Sequence, residues 1–193
     1  MAYDNIDRYF VHEKAIVDTS NIGDKTRIWA FTHILKGAVV GDNCNICEHV
    51  YIEDYVILGN DVTVKCGVYI WEGVYVEDKV FIGPCVTFTN DKHPRSKEYP
   101  DEFLKTIIKK GATLGANSSI MCGITIGKWA TIGMGTVVLK DVKPYEVVVG
   151  NPGKVIGYNC ECGKRLNFNS IDNSICECGL EYKKHSDNVE RVY

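Results

Sequence analysis

The 193-residue chain has no long apolar run and almost no net charge, and we expect no export signal. No segment approaches the roughly 18 consecutive apolar residues of a membrane-spanning helix. The first ten residues, MAYDNIDRYF, lack the apolar centre of a signal peptide. A formal net charge of −3 provides no strong field for a nucleic acid or a membrane surface. We therefore expect neither a nucleic acid nor a membrane among the partners.

Cysteine, by contrast, is frequent, with nine residues in the chain. Without an export signal these cysteines are expected to be reduced thiols or metal ligands, because disulfides persist mainly in exported proteins. This predicts a cytoplasmic protein. The composition, with 45% hydrophobic and 24% charged residues, is that of a globular protein of one ordinary domain with at most a small addition.

Apolar residues recur at every sixth position over most of the chain. Small or β-branched residues lie four positions after them, as in Thr26 and Ala38, and glycine often follows them directly, as in Gly41 and Gly59. An α-helix cannot keep a period of six on one face, whereas short strands joined by corners can. The apolar positions are Ile16, Ile22, Ile28, Ile34, Val40, Ile46, Ile52, Leu58, Val64, Ile70, Val76, Ile82, Phe88, Ile108, Leu114, Ile120, Ile126, Ile132 and Val138.

This period predicts an all-β fold, a parallel β-helix of hexapeptide repeats. Three repeats form a coil of about 18 residues, so that residues i and i+18 lie one above the other, about 4.8 Å apart. Glycine, asparagine and aspartate are expected to supply the permissive backbone at the corners. The alternative, a sandwich of short strands, predicts irregular spacing instead.

The period breaks once, in the segment TFTNDKHPRSKEYP at residues 87–100. The step from Phe88 to Ile108 spans 20 positions, and one hexapeptide explains six of them, which leaves an inserted loop of 14 residues within the range 89–107. Subtraction of one coil places Glu72 beneath Asn90. Because loops on rigid scaffolds commonly carry function, this polar loop is the candidate substrate site.

Six ordered segments combine the repeat with this loop: RIWAFTH (27–33), GDNCNICEHVYIE (41–53), KCGVYIWEG (65–73), FIGPCVTFTNDKHPRS (81–96), GATLGANSSIMCGITIG (111–127) and VVVGNPGKVIG (147–157). Together they resemble the bacterial left-handed β-helix N-acyltransferases that modify nucleotide-linked amino sugars. The similarity is greatest to the group that acts on dTDP-3-amino-3,6-dideoxyhexoses, and it covers residues 9–157.

The resemblance implies a left-handed helix and a homotrimer, with acetyl-CoA and a nucleotide sugar meeting between adjacent subunits. It implies acetylation of the 3-amino group of a dTDP-linked 3-amino-3,6-dideoxyhexose for surface polysaccharide biosynthesis. Two related alternatives are UDP-2-acetamido-3-amino-glucuronate as substrate and a longer acyl-CoA as donor. Two different classes stay open: a hexapeptide carbonic anhydrase, which needs three histidine ligands for zinc, and a non-catalytic β-helix scaffold.

The catalytic candidates are Asn90, Asp91 and His49. Asn90 can accept a hydrogen bond from the sugar amine and Asp91 can stabilise charge, although an Asn-Asp pair also builds turns. His49 lies near a corner beside Glu48 and is a candidate general base. In the enzymes that the chain resembles, direct attack of the amine, with the departing thiolate taking the proton, is a third possibility.

Five residues are candidates for substrate binding. Arg95 is suited to pair with a diphosphate or to brace the loop. The aromatic rings stack on a sugar or base, or pack in a subunit interface, and His33 is expected to point outward beneath Tyr51 and Tyr69. The five are Glu72, Trp71, Arg95, His33 and Tyr69.

The coils after the loop carry small residues that allow a pantetheine arm to approach the backbone, although glycine also turns corners. Surface lysines there are candidates for the CoA phosphates. The residues proposed for acetyl-CoA are Gly115, Ala116, Gly133, Lys140 and Lys154.

After residue 157 the period ends, and the segments CECG at 160–163 and CECG at 176–179 follow. Two paired knuckles are typical of a zinc ribbon with a closed four-thiolate structural site. Only one residue separates the cysteines of each pair, which strains simultaneous ligation, and free thiols or disulfides are the alternatives. We therefore predict an acyltransferase domain at 1–157 and a zinc-ribbon-like tail at 158–193, with Cys160, Cys162, Cys176 and Cys178 as the metal ligands.

Overall fold

The structure, a computed structural model, describes residues 8–186 and 188–192. Three sheets form the walls of a prism, and the chain visits them in the order A, B, C in each coil. Their strands are parallel, except for β21 and β22 at the end of sheet A. Sheet A contains β1 (Phe10–Val11), β3 (Arg27–Ile28), β6 (Asn45–Ile46), β9 (Thr63–Val64), β12 (Phe81–Ile82), β15 (Thr113–Leu114), β18 (Thr131–Ile132), β20 (Glu146–Val149), β21 (Lys154–Asn159) and β22 (Arg165–Leu166). Sheet B contains β2 (Ile16–Val17), β4 (His33–Ile34), β7 (Tyr51–Ile52), β10 (Tyr69–Ile70), β13 (Thr87–Phe88), β16 (Ser119–Ile120) and β19 (Val137–Val138). Sheet C contains β5 (Val39–Val40), β8 (Ile57–Leu58), β11 (Val74–Val76), β14 (Thr106–Ile108) and β17 (Thr125–Ile126).

The register of these sheets confirms the 18-residue coil. Thr63 pairs with Asn45 in the coil below and with Phe81 in the coil above. The first coil differs, because Val17 pairs with Ile34 and is thus only 17 positions away. Ile16 was expected to point inward, and this was wrong: its side chain is 56% exposed, whereas Val17 packs against the core.

The interior of the prism is a single column of apolar side chains, supplied by the six-residue period from Ile22 to Val138. Small residues four positions after each apolar residue, such as Thr26, Ala38 and Cys44, fill the space behind the corners and are fully buried. Each completely buried aliphatic side chain contributes roughly 1.5–3 kcal/mol. The period is therefore a packing requirement that every coil repeats.

The corners use two different devices. The left-handed backbone occurs three residues after the apolar position, and non-glycine residues such as Phe31, His49 and Asn117 adopt it with φ of 61°, 60° and 57°. Glycines directly after the apolar position instead allow close stacking: a Cβ on Gly115 would lie 2.5 Å from the backbone nitrogen of Met134. The permissive backbone thus lies two residues later than the recurring glycine.

The inserted loop leaves the prism after β13 and returns at β14. Phe88 pairs with Ile120, a separation of 32 positions, or one coil plus 14 residues. Val74 pairs with Thr106 at the same separation, so the coil closes again on sheet C. The predicted length and position of the insertion are confirmed.

The prism ends where β21 turns back antiparallel to β20, and β22 pairs with β21. A further antiparallel sheet, sheet D, contains β23 (Asn173–Ile175), β24 (Glu181–His185) and β25 (Asn188–Val192). This tail has a small core of its own, in which Cys160, Leu166, Cys176 and Tyr182 pack against Tyr145 of the last coil. Among the residues that the structure describes, no helix is long and apolar enough to cross a membrane.

Candidate functional site

Sheet B presents a column of aromatic rings to the outside. The ring centroids of His33 and Tyr51 lie 5.7 Å apart, and those of Tyr51 and Tyr69 lie 6.3 Å apart. Trp71 joins them, at 5.6 Å from Tyr51 and 6.0 Å from Tyr69. His33, Tyr51 and Tyr69 occupy the same position in consecutive coils, so the prediction that His33 lies beneath the two tyrosines is confirmed. We call this surface the aromatic face.

His49 lies at the corner between sheets A and B, the A–B corner. Its ring stacks on that of Phe31, with centroids 5.0 Å apart and planes inclined by 14°. Together with the aromatic face, these two rings line a groove of about 380 Å³. His33 lies in the same groove and approaches Asp18, with 3.1 Å between Nε2 and Oδ2. One corner therefore offers an imidazole beside a wall of rings.

Asn90 and Asp91 lie at the opposite edge of sheet B, the B–C corner, where the loop begins. Trp71 Nε1 donates to the carbonyl oxygen of Phe88 over 3.0 Å, and the Glu72 backbone N–H donates to Glu53 Oε2 over 2.8 Å. Asp91 Oδ1 accepts the backbone N–H of His93 over 2.8 Å. The carboxylate thus forms an Asx turn, the structural alternative to a catalytic role.

The rest of the loop gives a second cavity. Its volume is about 420 Å³, it opens to solvent, and its lining includes Tyr55, Glu72, Phe103 and Lys105. Arg95 does not reach this cavity's lining; its Nη1 donates to the carbonyl oxygen of Pro94 over 2.8 Å. Of the predicted substrate residues, Glu72 therefore lines the cavity at the loop, whereas Arg95 braces its own segment.

A single chain does not bring the predicted catalytic residues together. His49 lies before strand β7 and Asn90 follows strand β13, at opposite edges of sheet B. Five residues of extended chain separate the two edges, or about 16 Å. Within one subunit, His49 and Asn90 consequently cannot contact the same atom of a substrate.

The predicted acetyl-CoA residues divide between the same two edges. Gly115, Ala116 and Gly133 follow β15 and β18 and so continue the A–B corner above His49. Lys140 follows β19 and lies two coils above Asn90 on the B–C corner. The glycines also have a packing reason, because a Cβ on Gly133 would lie 2.7 Å from Val149 Cγ1.

Lys140 lines a cleft of about 480 Å³ at the end of the prism. Lys154 is not in its lining, although Gly153 and Val155 on either side of it are. This cleft is an exposed channel between the last coil and strand β21, with lysine at its rim.

The sequence analysis missed a second basic feature, on the corner between sheets C and A. Lys109 and Lys128 line a groove of about 500 Å³ there with Lys143 and Asp141. The signal that would have found it is positional, because both lysines follow strands of sheet C in consecutive coils. Burial opposes ionisation of Glu77 in this groove, but Lys109 Nζ at 2.7 Å and the N–H of Lys110 at 2.9 Å hold its pKa below the usual value.

The four tail cysteines converge, with all four Sγ atoms within 4.8 Å of one another. The Sγ atoms of Cys160 and Cys178 lie 3.5 Å apart, as do those of Cys162 and Cys176. A tetrahedral zinc ion with Zn–S bonds of about 2.3 Å places its sulfur atoms about 3.7 Å apart. The four thiols therefore fit zinc despite the single intervening residue in each pair.

The surroundings of the four thiols also suit a closed site. The Tyr182 hydroxyl lies 3.1 Å from Cys160 Sγ and accepts the Glu161 backbone N–H over 3.0 Å. Burial raises the pKa of Cys160, whereas the backbone N–H of Lys164 lowers that of Cys162 to about 7. All nine cysteines of the chain are free thiols.

Comparison with known proteins supports the fold and the family. The family described as bacterial transferase hexapeptide (six repeats) matches residues 19–54 and 105–140. Over 175 residues, 90% of each protein, the chain is 57% identical to dTDP-3-amino-3,6-dideoxy-alpha-D-galactopyranose 3-N-acetyltransferase of Aneurinibacillus thermoaerophilus. The chain belongs to this hexapeptide-repeat acetyltransferase family. Because such hexapeptide repeats wind into a left-handed β-helix, the predicted fold and family are confirmed.

Two solved structures share the fold of this acetyltransferase family member. The polySia-specific acetyltransferase NeuO is 22% identical with a TM-score of 0.54, over 78% of this chain and 80% of that one. WeeI from Acinetobacter baumannii AYE is 24% identical with a TM-score of 0.51, over 76% of this chain and 57% of that one. At these identities the likeness shows the fold alone.

Proposed function

We propose that the chain is an acetyl-CoA-dependent N-acetyltransferase that acts on the 3-amino group of a dTDP-linked 3-amino-3,6-dideoxygalactose and serves surface polysaccharide biosynthesis. The observation that carries this proposal is the 57% identity over 90% of both chains with an enzyme of that name. The polar loop supports it, because the structure of the prism gives no reason for a 14-residue insertion. Since the nine cysteines are free thiols, we assign the activity to a reducing compartment, the cytoplasm.

The reaction joins an amine to an activated acyl group. The neutral amine nitrogen attacks the thioester carbonyl carbon, an N–C bond forms and the C–S bond breaks. The CoA thiolate leaves and one proton of the amine ends on it or on a protein base, so the products are an amide and a free thiol. The protein has to orient the two reactants at about 3–3.5 Å and offer donors to the developing oxyanion.

The arrangement of the two edges of sheet B supports a homotrimeric enzyme with sites between subunits. The A–B corner carries His49, Gly115 and Gly133, and the B–C corner carries Asn90 and Lys140. About 16 Å separates the edges within one chain, but the A–B corner of one subunit can face the B–C corner of its neighbour. We assign the sugar amine to Asn90 and Asp91, and the proton to His49 or to the leaving thiolate.

The remaining roles follow from this proposed site between the A–B corner of one subunit and the B–C corner of its neighbour. Glu72 and Trp71 lie at the base of the loop, and we assign them to the sugar, with Arg95 near the diphosphate. His33 and Tyr69 extend the aromatic face toward the nucleobase or the neighbouring subunit. The acetyl-CoA arm would follow Gly115, Ala116 and Gly133, and its phosphates would reach Lys140 and Lys154.

The test is thiol release from acetyl-CoA by the purified protein. We expect turnover with dTDP-3-amino-3,6-dideoxygalactose, less with its gluco epimer, and little with UDP-2-acetamido-3-amino-glucuronate or with longer acyl-CoA donors. Asn90→Ala and His49→Ala, measured beside wild type, decide which edge of sheet B carries the chemistry. Turnover only with the UDP sugar would reject the proposed substrate, and no turnover with any amine by an intact trimer would reject the activity.

The two classes outside acyl transfer have less support. Among the residues that the structure describes, the groups of three or more metal-ligating side chains contain no histidine, so one chain does not supply a three-histidine zinc site. A non-catalytic scaffold does not require the two cavities at the loop and the aromatic face.

We further infer that the tail from residue 158 onward is a separate zinc-ribbon-like unit on the acyltransferase domain. Its support is the convergence of Cys160, Cys162, Cys176 and Cys178. Four thiolates leave no open position on zinc, so the metal would be structural. Metal analysis of the full chain should find one zinc per subunit held by the tail, and the Cys162→Ser variant should lose it; unchanged zinc content in that variant would contradict the assignment.

A further inference from the structure

A second group of metal-ligating side chains lies at the A–B corner, far from the tail in sequence. It consists of Cys47, Glu48 and Cys66, whose ligand atoms all lie within 4.8 Å of one another. Cys66 Sγ donates to Glu48 Oε2 over 3.2 Å. Cys47 is buried, whereas Glu48 and Cys66 are half-buried and so remain accessible to an ion.

The stacking of coils brings these three residues together. Cys66 lies 18 positions after Glu48, directly above it, and the register of β6 with β9 fixes this alignment. Two backbone hydrogen bonds hold both sides of the group: Cys47 N to Val64 O over 2.9 Å and Gly67 N to Glu48 O over 3.2 Å. The donors are therefore mounted on rigid backbone and do not depend on a mobile loop.

The position of Cys47 is unusual for this chain. The equivalent position is Trp29 in the coil below and Lys65 in the coil above, and it is glycine at 83, 115 and 133, where a Cβ would meet the next coil. At residue 47 the thiol instead lies beside a second thiol and a carboxylate, and its Sγ accepts the side-chain amide of Asn45 at 3.5 Å. Because large side chains occupy the same position in both adjacent coils, packing does not require cysteine here and gives no reason for three convergent metal donors.

We propose that Cys47, Glu48 and Cys66 bind one thiophilic divalent cation, such as Zn²⁺, as a site separate from the four tail cysteines. Two thiolates and a carboxylate are ligands that zinc accepts in a tetrahedral site, with the fourth position left for solvent. Ligation requires thiolates, so the two thiol protons pass to solvent as the ion binds. The present separations, up to 4.8 Å, exceed the roughly 3.7 Å of a tetrahedral site by an amount that side-chain rotation can supply.

The site would not be catalytic for acetyl transfer. The His49 ring follows Glu48 in sequence but stacks on Phe31, so the imidazole is engaged with the aromatic groove. An ion at the corner would instead fix the backbone turn that carries His49. That consequence rests on the proposed function, whereas binding of the ion does not.

Cobalt(II) is the probe, because thiolate ligation gives it a charge-transfer absorption. The full chain carrying Cys160→Ser and Cys178→Ser, stripped of metal, should bind one equivalent with this absorption. Adding Cys66→Ser should abolish it, while adding Cys85→Ser should not, although Cys85 is an exposed thiol at the same corner, with its Sγ 3.3 Å from a Cβ built on Gly67. Zinc should displace the cobalt.

If the tail variant does not fold, the same comparison is made in the wild-type chain. There Cys66→Ser and Glu48→Gln should each lower the number of thiolate-bound cobalt ions per subunit by one, with unchanged melting of the metal-free protein. Equal stoichiometry in wild type and Cys66→Ser, or equal loss in Cys85→Ser, would overturn the proposal. Because the readout is metal binding, absence of acetyltransferase activity would bear on the proposed function alone.

Discussion

Trp71 Nε1 donates a hydrogen bond to the carbonyl oxygen of Phe88 over 3.0 Å. Phe88 is the last residue of β13 and precedes the inserted loop, while the Trp71 ring packs beside Tyr51 and Tyr69. One side chain thus connects the aromatic face with the point where the loop leaves the prism. A substitution in the aromatic face should therefore alter the position of the loop, and the reverse.

Trp71→Phe should uncouple the two surfaces, because it keeps an aromatic ring but removes the N–H donor. We expect a stability loss of about 1 kcal/mol for the missing hydrogen bond. In a chain of this length that corresponds to a melting temperature lower by about 2–4 °C. Michaelis constants should rise for the nucleotide sugar and stay constant for acetyl-CoA. Tyr69→Phe is the matched control in the same face, and identical behaviour of the two variants would refute the coupling.

Asp91 offers a test of charge against turn geometry. Its Oδ1 accepts the N–H of His93 over 2.8 Å, an acceptor that asparagine retains. If the carboxylate stabilises the attacking amine, Asp91→Asn should lower kcat/KM at least about tenfold, or ~1.4 kcal/mol in the barrier, with unchanged melting. Asp91→Ala should lose both activity and loop order. If Asp91→Asn keeps an activity within twofold of wild type, the carboxylate has no catalytic role and Asp91 serves only to form the turn.

The fold was predictable because one physical requirement, an apolar side chain at each inward position, repeats in every coil. The pairing of Phe88 with Ile120 shows that even the length of the insertion followed from counting. The start of the period could not be found by counting. Ile16 and Val17 are both β-branched and apolar, and only packing selects Val17 as the inward residue. A one-residue slip at a strand end leaves almost no trace in composition.

The site was predictable only in part. Counting placed Glu72 below Asn90 and His33 below Tyr51, since these are contacts within the stack of coils. Counting did not show that His49 and Asn90 lie at opposite edges of one sheet. It also did not identify Lys109 and Lys128 as residues that line a groove. The repeat places residues within one chain, but it does not indicate which surfaces of two subunits meet. A site between subunits therefore cannot be found by counting.

Gly115 tests the stacking role of the glycines that follow the apolar positions. A Cβ at Gly115 would lie 2.5 Å from Met134 N, which is backbone and cannot move aside cheaply. Gly115→Ala should therefore lower the melting temperature strongly or prevent folding. Gly135→Ala is the control: no atom lies within 4 Å of its Cβ, but its φ of 65° costs a non-glycine residue about 1 kcal/mol. Equal melting of the two variants would mean that the coils can separate locally.

Glu77 makes the stability of the sheet C groove dependent on pH. Burial opposes its ionisation, but the contacts with Lys109 and the N–H of Lys110 prevail and lower its pKa. A lowered folded-state pKa contributes stability above the usual pKa of the carboxyl, and this is lost as the pH falls through the folded-state value. At pH 7 the free energy of unfolding of Glu77→Gln should be lower than that of wild type. The difference should be less than about 1 kcal/mol, because the pair of Glu77 and Lys109 is partly exposed. The difference should vanish in acid, and a difference independent of pH would exclude the ion pair as its cause.

Removal of metal should release the tail and leave the prism intact. The tail contacts the last coil through the ring pair of Tyr145 and Tyr182, 5.3 Å apart, and through the Tyr145 hydroxyl, 3.2 Å from Glu161 Oε1. Glu161 lies between Cys160 and Cys162, so the proposed zinc site holds both contacts in place.

A chelator should therefore make the segment beyond residue 158 sensitive to protease. A fragment containing the prism should resist the protease and unfold at the same temperature as before. Cys162→Ser should show this sensitivity without chelator, whereas Cys122→Ser, which removes a buried thiol from the prism, should need the chelator as wild type does. Cleavage at the same rate with and without chelator in the wild-type chain would show that the tail packs without metal, through its own apolar core.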